Sequence, residues 1–185
     1  TAESWPYPLA GLTLKNVKLT VERNGKRVFS ELGELLLTHF GVSGPLVLSA
    51  SAAVADAPEG ARLLIDFKPA LSDAALDARL LRDLAESARK QVGTALHALL
   101  PQRLLLTVLE LANIDAAAPV GELTREQRKK LVETLKAAPL TVRRTRPIEE
   151  AIVTRGGVNV GEINSSTMES KLTRGLYFAG EVIDV

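Results

Sequence analysis

The sequence predicts an α+β fold: a curved, barrel-like antiparallel β subdomain with a small helical subdomain inserted into it. Three observations carry this. Alternating apolar and polar residues fill the first part of the chain, 3.6-residue apolar stripes fill the middle, and strand-like patterning returns after Pro139. The order β, then α, then β argues against a doubly wound sheet, which would interleave strands and helices throughout. The expected boundaries are 1–68 and 139–174 for the β subdomain, 69–138 for the helical one, and 175–185 for a strand that returns to a further domain.

In the first segment Leu12 and Leu14, then Val17, Leu19 and Val21, alternate with polar residues, but the phase slips at Lys15-Asn16, as a β-bulge requires. Asn24-Gly25 is the signature of a tight primed turn, because both residues tolerate positive φ. A returning strand then runs from Val28 and Phe29 to Leu37, with Gly33 expected as a second irregularity. Thr38-His39-Phe40-Gly41-Val42-Ser43-Gly44 reads as a loop leading to a small-residue helix with Pro45 in its first turn. Residues 61–67 form a short apolar run, expected as a buried strand.

Ser72 is placed to cap a helix whose apolar stripe is Leu76, Leu80, Leu84 and Ala88, with Leu81 and Ala85 alongside. A helix from Pro101 carries Leu104, Leu105, Leu106, Val108, Leu109 and Leu111, which predicts the centre of a small bundle. Thr124 with Gln127 three residues on makes a capping box, and Leu131, Val132, Leu135 and Ala138 are expected inward until Pro139 ends that helix. Leu140, Val142 and 151–153 are strand-like, and the segment 175–180 reads as a short buried strand flanked by glycines.

Composition removes several function classes. Lys and Arg total 23 against 22 Asp and Glu, so the chain as a whole offers no field to attract a polyanion, and nucleic acid is not expected as a partner. Cysteine is absent, which removes disulfides, thiolate metal sites and thiol nucleophiles, and suits a reducing cytoplasm. His39 and His97 alone give no metal-ligand spacing. No apolar run is long enough to cross a bilayer, and no membrane association is expected. The chain opens without methionine and stops within an apolar strand, so both ends are expected to be cut points in a longer protein. Neither a G-x-G-x-x-G nor a G-x-x-x-x-G-K-[ST] fingerprint occurs, so a self-sufficient dinucleotide or P-loop enzyme is not expected.

The residues left as site candidates are few. Thr154-Arg155-Gly156-Gly157-Val158 ends a strand on a glycine pair, which either makes a structural turn or lets backbone N–H groups approach a planar or anionic ligand. Glu181 follows an apolar strand, where a carboxylate accepts hydrogen bonds from ligand hydroxyls. His39, in a glycine-rich loop, either bonds the turn or orients a substrate near neutral pH. Arg143, Arg144 and Arg146 read as a strand with a solvated face, His97 as a structural residue on an apolar helix, and Trp5 and Tyr7 as caps for the sheet.

Three blocks together resemble the YhiN/BaiN-like family of bacterial NAD(P)/FAD-dependent oxidoreductases. They are residues 33–45, with Thr38-His39-Phe40-Gly41-Val42-Ser43-Gly44-Pro45; residues 151–158, with Thr154-Arg155-Gly156-Gly157-Val158; and residues 168–184, with Gly175-Leu176-Tyr177-Phe178-Ala179-Gly180-Glu181-Val182-Ile183-Asp184. The resemblance covers the whole chain but only the middle of a family member. It implies a barrel like those of translation factors plus a helical subdomain, both inserted into an FAD-binding domain. The resemblance further implies cofactor contacts at Thr154, Gly156, Gly157, Val158, Gly180, Glu181 and Asp184, with Glu181 at the ribityl or pyrophosphate region and the glycine pair near the isoalloxazine ring. Arg155 stands where a small residue is common in the family. His39 is the substrate-site candidate; no catalytic acid or base is assigned. The expected partners are the remainder of the protein's own FAD-binding domain and a small-molecule substrate, with NAD(P)H as electron donor. By itself the chain is expected to hold FAD weakly or not at all and to be inactive. The alternative is a stand-alone module that binds protein or RNA without chemistry.

Overall fold

Strand β1 (Thr13–Arg23) and strand β2 (Lys26–Thr38) form the long hairpin on which the first part of the molecule is built. In the computed structural model, which describes residues 1–151 and 156–184, Asn24 and Gly25 take φ of 51° and 71°, as the primed turn demands. The bulge falls where the phase slips: Leu14 pairs Leu35 and Val17 pairs Gly33. The extra residue on β1 returns Val17, Leu19 and Val21 to the buried face that Leu14 occupies. Gly33 is a different case from the irregularity expected of it, because β2 runs through it unbroken. A Cβ there would lie 3.3 Å from the Leu46 side chain, so the glycine makes room for helix packing.

The expected loop at 38–44 is instead a tight hairpin. Thr38 pairs Gly41 across a turn at His39 and Phe40, and strand β3 (Gly41–Ser43) adds to the edge of β2. Gly44 then caps helix α1 (Pro45–Ala52), with Pro45 at its first position. Strand β4 (Arg62–Asp66) pairs the other side of β1, and strand β5 (Ala138–Thr141), arriving after the helices, pairs β4. The antiparallel order is β3-β2-β1-β4-β5, and the sheet curls into a half-barrel. Pro139 is tolerated because β5 is an edge strand.

Residues 1–3 reach both ends of this order. The Ala2 N–H donates to the Thr141 carbonyl at 2.8 Å. The Glu3 carboxylate accepts from the Thr141 N–H at 2.6 Å and its hydroxyl at 2.8 Å. Thr1 packs against Gly41 at the start of β3. Trp5 caps the barrel as expected: it is buried, its indole N–H donates to the Pro139 carbonyl at 3.2 Å, and its ring meets Phe67 edge-on at 6.4 Å.

Between β4 and β5 lie helices α2 (Asp73–Glu86), α3 (Val92–Ala95), α4 (Gln102–Leu111) and α5 (Arg125–Lys136). The Ser72 hydroxyl accepts from the Ala75 N–H, and Thr124 and Gln127 satisfy each other's backbone N–H groups in the full capping box. The α2 stripe is narrower than expected: Leu76, Leu80 and Leu84 are buried, whereas Leu81, Ala85 and Ala88 are exposed, the last because the helix ends at Glu86. Likewise α4 buries Leu104, Leu105, Val108 and Leu109 but exposes Leu106, which lies on the face turned away from the core. Helix α5 stops at Lys136, so Ala138 is buried as the first residue of a strand rather than the end of a helix.

Two ion pairs fasten this layer. Arg128 on α5 meets Asp77 on α2 at 2.7 Å, and Lys136 meets Asp66 at 2.6 Å while also donating to the carbonyls of Lys68 and Leu71. The sheet and the helices share one apolar core. Each fully buried leucine in it contributes about 2 kcal/mol.

The chain divides into two compact units, 1–145 and 146–185. Arg143 and Arg144 are not on a strand: β5 ends at Thr141, the last backbone bonds join Val142 to Gly60 and Ala61, and the two arginines lie exposed beyond them, while Arg146, in the second unit, pairs with Glu150. Most of the strand expected at 151–153 falls outside the described residues. Within the second unit, strand β6 (Val158–Asn159) pairs strand β7 (Ile183–Asp184) in parallel. The intervening stretch is held by local bonds: the Ser170 hydroxyl accepts from the N–H groups of Leu172 and Thr173, and the Glu169 carboxylate accepts from that of Gly175. The buried strand expected at 175–180 is not one here. Leu176 and Tyr177 are exposed, since the segment finds a single bridge, Glu169 with Tyr177, in place of a ladder.

Candidate functional site

Most of the residues singled out in the sequence meet in the second unit. The parallel pair sets Val158 beside Ile183 and Asn159 beside Asp184, so the segment 156–159 and the segment 180–184 form one short ribbon. Their meeting point is Gly157. A Cβ on it would lie 2.4 Å from the Val182 carbonyl oxygen and 3.0 Å from the Asp184 nitrogen, so this glycine is demanded by the ribbon's own closure. Gly156 and Gly180 have φ of 94° and 78°, and neither has an atom within 4 Å of where a Cβ would be. Thr154 lies outside the described residues.

Gly180, Glu181 and Val182 make a single 3-10 turn that feeds β7. Glu181 and Asp184 are both exposed on it, and among the described residues the Glu181 carboxylate has no hydrogen-bond or ion-pair partner. The Asn159 side chain, which sequence reasoning passed over, accepts from the Gly161 N–H at 2.8 Å and so fixes the exit of β6. This arrangement offers carboxylate acceptors and uncovered glycine backbone within a few residues. A hydroxyl-rich chain such as the ribityl part of a flavin fits these donor and acceptor types, whereas a pyrophosphate needs the glycine-rich helix N-terminus that no segment of this sequence supplies.

His39 belongs to the first unit. It is exposed at the β2–β3 turn, with its ring edge-on to Phe40 at 5.0 Å. A second feature of that unit escaped the sequence reading. A recess of about 860 Å³ runs along α2 and the turn that follows it, lined by Ala75, Ala78, Ala95 and Ala98 together with Arg79, Arg82 and Lys90. His97 lines it too; it stands in the turn after α3, exposed, with Nδ1 at 2.8 Å from the Thr94 carbonyl, rather than on an apolar helix. Nearby, burial and then the positive charge of Arg79 hold the Lys68 ammonium below its ordinary range. Arg79 and Arg82 at i and i+3 on one helix, followed by Arg89-Lys90, are the sequence signal for this surface. Among the described residues no group of His, Asp and Glu side chains is placed to hold a metal ion, and no helix is long and apolar enough to cross a membrane.

Residues 2–153 match the family described as HI0933-like protein barrel and H2TH domain. The chain belongs to this family. It is the flavoprotein family whose motifs the sequence resembles, and its barrel corresponds to the half-barrel of β1–β5. Among HI0933-like relatives, the 3-dehydro-bile acid delta(4,6)-reductase of Clostridium scindens is 31% identical over 165 residues, which is 87% of this chain and 40% of that protein. The ribosomal RNA dihydrouridine synthase of Escherichia coli is 34% identical over 177 residues, 96% of this chain and 41% of that protein. The enzyme of the same name from Haemophilus influenzae is 32% identical over 152 residues, 82% of this chain and 36% of that protein. The chain therefore spans about two fifths of the length of the curated relatives it matches.

Proposed function

We propose that this chain is the insert region of an FAD-dependent oxidoreductase, which covers the flavin and shapes the substrate site. The observation that carries the reading is the ribbon: within a chain of this family, the two segments the resemblance assigns to the cofactor, 156–158 and 180–184, meet where Val158-Asn159 pairs Ile183-Asp184 and where Gly157 lies against the Val182 carbonyl. Glu181 and Asp184 accept hydrogen bonds from flavin hydroxyls, and the uncovered backbone at Gly156 and Gly180 lets the cofactor lie close. Val158 extends the same contact line, and Thr154 is assigned to the cofactor by the resemblance alone. His39, held by Phe40 at a hairpin tip, orients the substrate. Bound flavin supplies hydride transfer, with NAD(P)H as the electron source. The role of this chain's own residues is to bind, orient and exclude water.

The relatives' names share one chemistry. A Δ4,6-reductase acting on a 3-oxo bile acid and a synthase that turns uridine into dihydrouridine both saturate a carbon–carbon double bond conjugated to a carbonyl. The reaction class we assign to the whole protein is therefore hydride addition to an α,β-unsaturated carbonyl, in the reducing cytoplasm that the absence of cysteine suits. The second reading, a non-catalytic RNA-binding module, is favoured by the RNA named in two of the relatives.

The test is to purify the full-length protein, measure its flavin content, and follow flavin reduction by NADH and NADPH and reoxidation by a cyclic enone. Bound flavin that an enone reoxidises is expected; a colourless protein that binds RNA would instead establish the module. Residues 1–185 alone should neither retain nor saturably bind FAD, and low-micromolar binding followed by flavin fluorescence would refute that part.

A further inference from the structure

We propose that the recess along α2 is a docking groove for the sugar–phosphate backbone of single-stranded RNA. The proposal rests on the reductase reading and selects, from the two substrate types in the relatives' names, the polynucleotide.

The groove's chemistry is that of a phosphate track. Arg79, Arg82 and Lys90 flank it, and Arg89 lines the recess that continues it. These four cations face two carboxylates, Asp83 and Glu86, and among the described residues only Asp83 is engaged, at 3.4 Å from Arg79 and 3.7 Å from Arg82. Arg82 is 65% exposed, and among the described residues Arg89 and Lys90 have no ion-pair partner. Ala75, Ala78, Ala95 and Ala98 in the lining have short side chains, so a sugar–phosphate chain can approach the helix surface. A near-neutral total charge does not exclude such a track, because the field a strand meets is set within a Debye length of about 8 Å.

The walls are also set in advance. Behind Lys90 the backbone is clamped: the Val120 N–H donates to the Lys90 carbonyl at 3.0 Å, and the Val92 N–H to the Ala118 carbonyl at 2.9 Å. The backbone that carries the cations of this turn is therefore held in place without a loop having to order on binding, while their side chains stay free to meet a phosphate. Favourable interaction with the carboxyl end of α2 accounts for Arg89 and Lys90 alone. Arg79 and Arg82 lie before the last turn, where that effect has faded. A uridine that is to be reduced must leave its stack to reach the reacting centre, and a grip on the flanking phosphates holds the strand while it does so.

The experiment uses the full-length holoprotein and a short labelled polyuridine RNA, with binding followed by fluorescence anisotropy across a salt series. In about 0.1 M salt the Arg82→Ala/Lys90→Ala double variant should bind about fivefold more weakly for each phosphate it no longer neutralises, and the log–log salt slope should fall by about 0.7 per phosphate. Lys129→Ala/Lys130→Ala, exposed on α5, should bind as the unaltered protein does, and Lys90→Arg should retain binding. Unfolding followed through Trp5 checks that the variants are folded. Unchanged affinity and slope in the Arg82/Lys90 variant would overturn the groove. So would displacement of the RNA by NADPH at matched ionic strength, which would make the recess a nucleotide pocket. The reductase reading is scored separately by flavin content and enone reduction: if both persist without RNA binding, the groove alone falls, and if RNA binds through Arg82 and Lys90 to a flavin-free protein, the reductase reading alone falls.

Discussion

The two compact units hold their shape by different means. Residues 1–145 bury a continuous core in which Leu19, Leu80, Leu104 and Leu131 are completely enclosed. In the described part of 146–185 the buried large apolar residue is Ile163, while Leu172 is 74% and Tyr177 61% exposed, with Val160, Leu176 and Val182 also open. Hydrophobic burial holds the first unit. The second is a set of turns whose side chains satisfy nearby backbone groups, as Ser170 and Glu169 do. Such bonds net about 1 kcal/mol each and cannot replace a core. Protection from amide exchange should follow the same division, high in β1, β4 and α4 and low between residues 160 and 178.

Core truncation is the sharpest way to break this comparison. Leu104→Ala should cost about 3 kcal/mol in denaturant unfolding read through Trp5, the single tryptophan. Leu172→Ala should change the same midpoint by less than about 0.5 kcal/mol. Equal effects would mean that the exposed leucine supports a core after all.

Gly157→Ala probes the second unit directly. The new methyl group would meet the Val182 carbonyl oxygen at 2.4 Å, with backbone on both sides and no flexible side chain to yield. Forcing β6 and β7 apart should cost about 2 kcal/mol locally. Exchange protection at residues 158, 159, 183 and 184 should disappear while the Trp5 transition stays where it was. In the full-length protein the same change should lower flavin retention, and an intact ribbon without flavin would point to a direct steric clash instead.

Helix capping sits lower on the scale. Thr124→Ala removes one half of the capping box on α5, the hydroxyl that accepts from the Gln127 N–H, and should destabilise the first unit by about 1 kcal/mol, measured as before. Gln127→Ala, which removes the other half, the side-chain oxygen that accepts from the Thr124 N–H, should cost less.

What was legible in the sequence follows the range of the signal. The bulge at Lys15-Asn16, the Asn24-Gly25 turn, the Ser72 cap and the Thr124/Gln127 box are decided by residues within a few positions of one another, and each stands where the pattern put it. Helix α3 was missed because its four residues are placed by bonds to 116 and 118 rather than by their own periodicity. The strand expected at 175–180 failed for the complementary reason, since an apolar run becomes a strand only where a ladder awaits it. Of the candidate site, Gly156, Gly157, Gly180 and Glu181 were legible as residues, but their parallel pairing spans about 25 positions and left no local mark. The recess stayed hidden because Arg79, Arg82, Asp83 and Glu86 on one helix read as an ordinary solvated face until the turn bearing Lys90 is brought beside them.

The smallest expected effect concerns how the half-barrel is fastened at its open side, where the Glu3 carboxylate joins the start of the chain to β5. Burial pushes the Glu3 carboxyl up, but hydrogen bonds from the Thr141 N–H and hydroxyl outweigh it and leave it below its ordinary value of 4.5. A carboxyl that titrates lower when folded binds fewer protons in the native state than in the unfolded one, so its contribution is fully present above about 4.5 and fades as pH falls through the lower folded value. Other carboxylates titrate in the same window, so the informative quantity is the difference between the unaltered protein and Glu3→Gln. That difference, read through Trp5, whose indole bonds Pro139 two residues from Thr141, should be largest at neutral pH and shrink towards acid. A difference that stays constant across the range would mean that the amide replaces the carboxylate's grip on Thr141, and that the fastening is one of shape and not of charge.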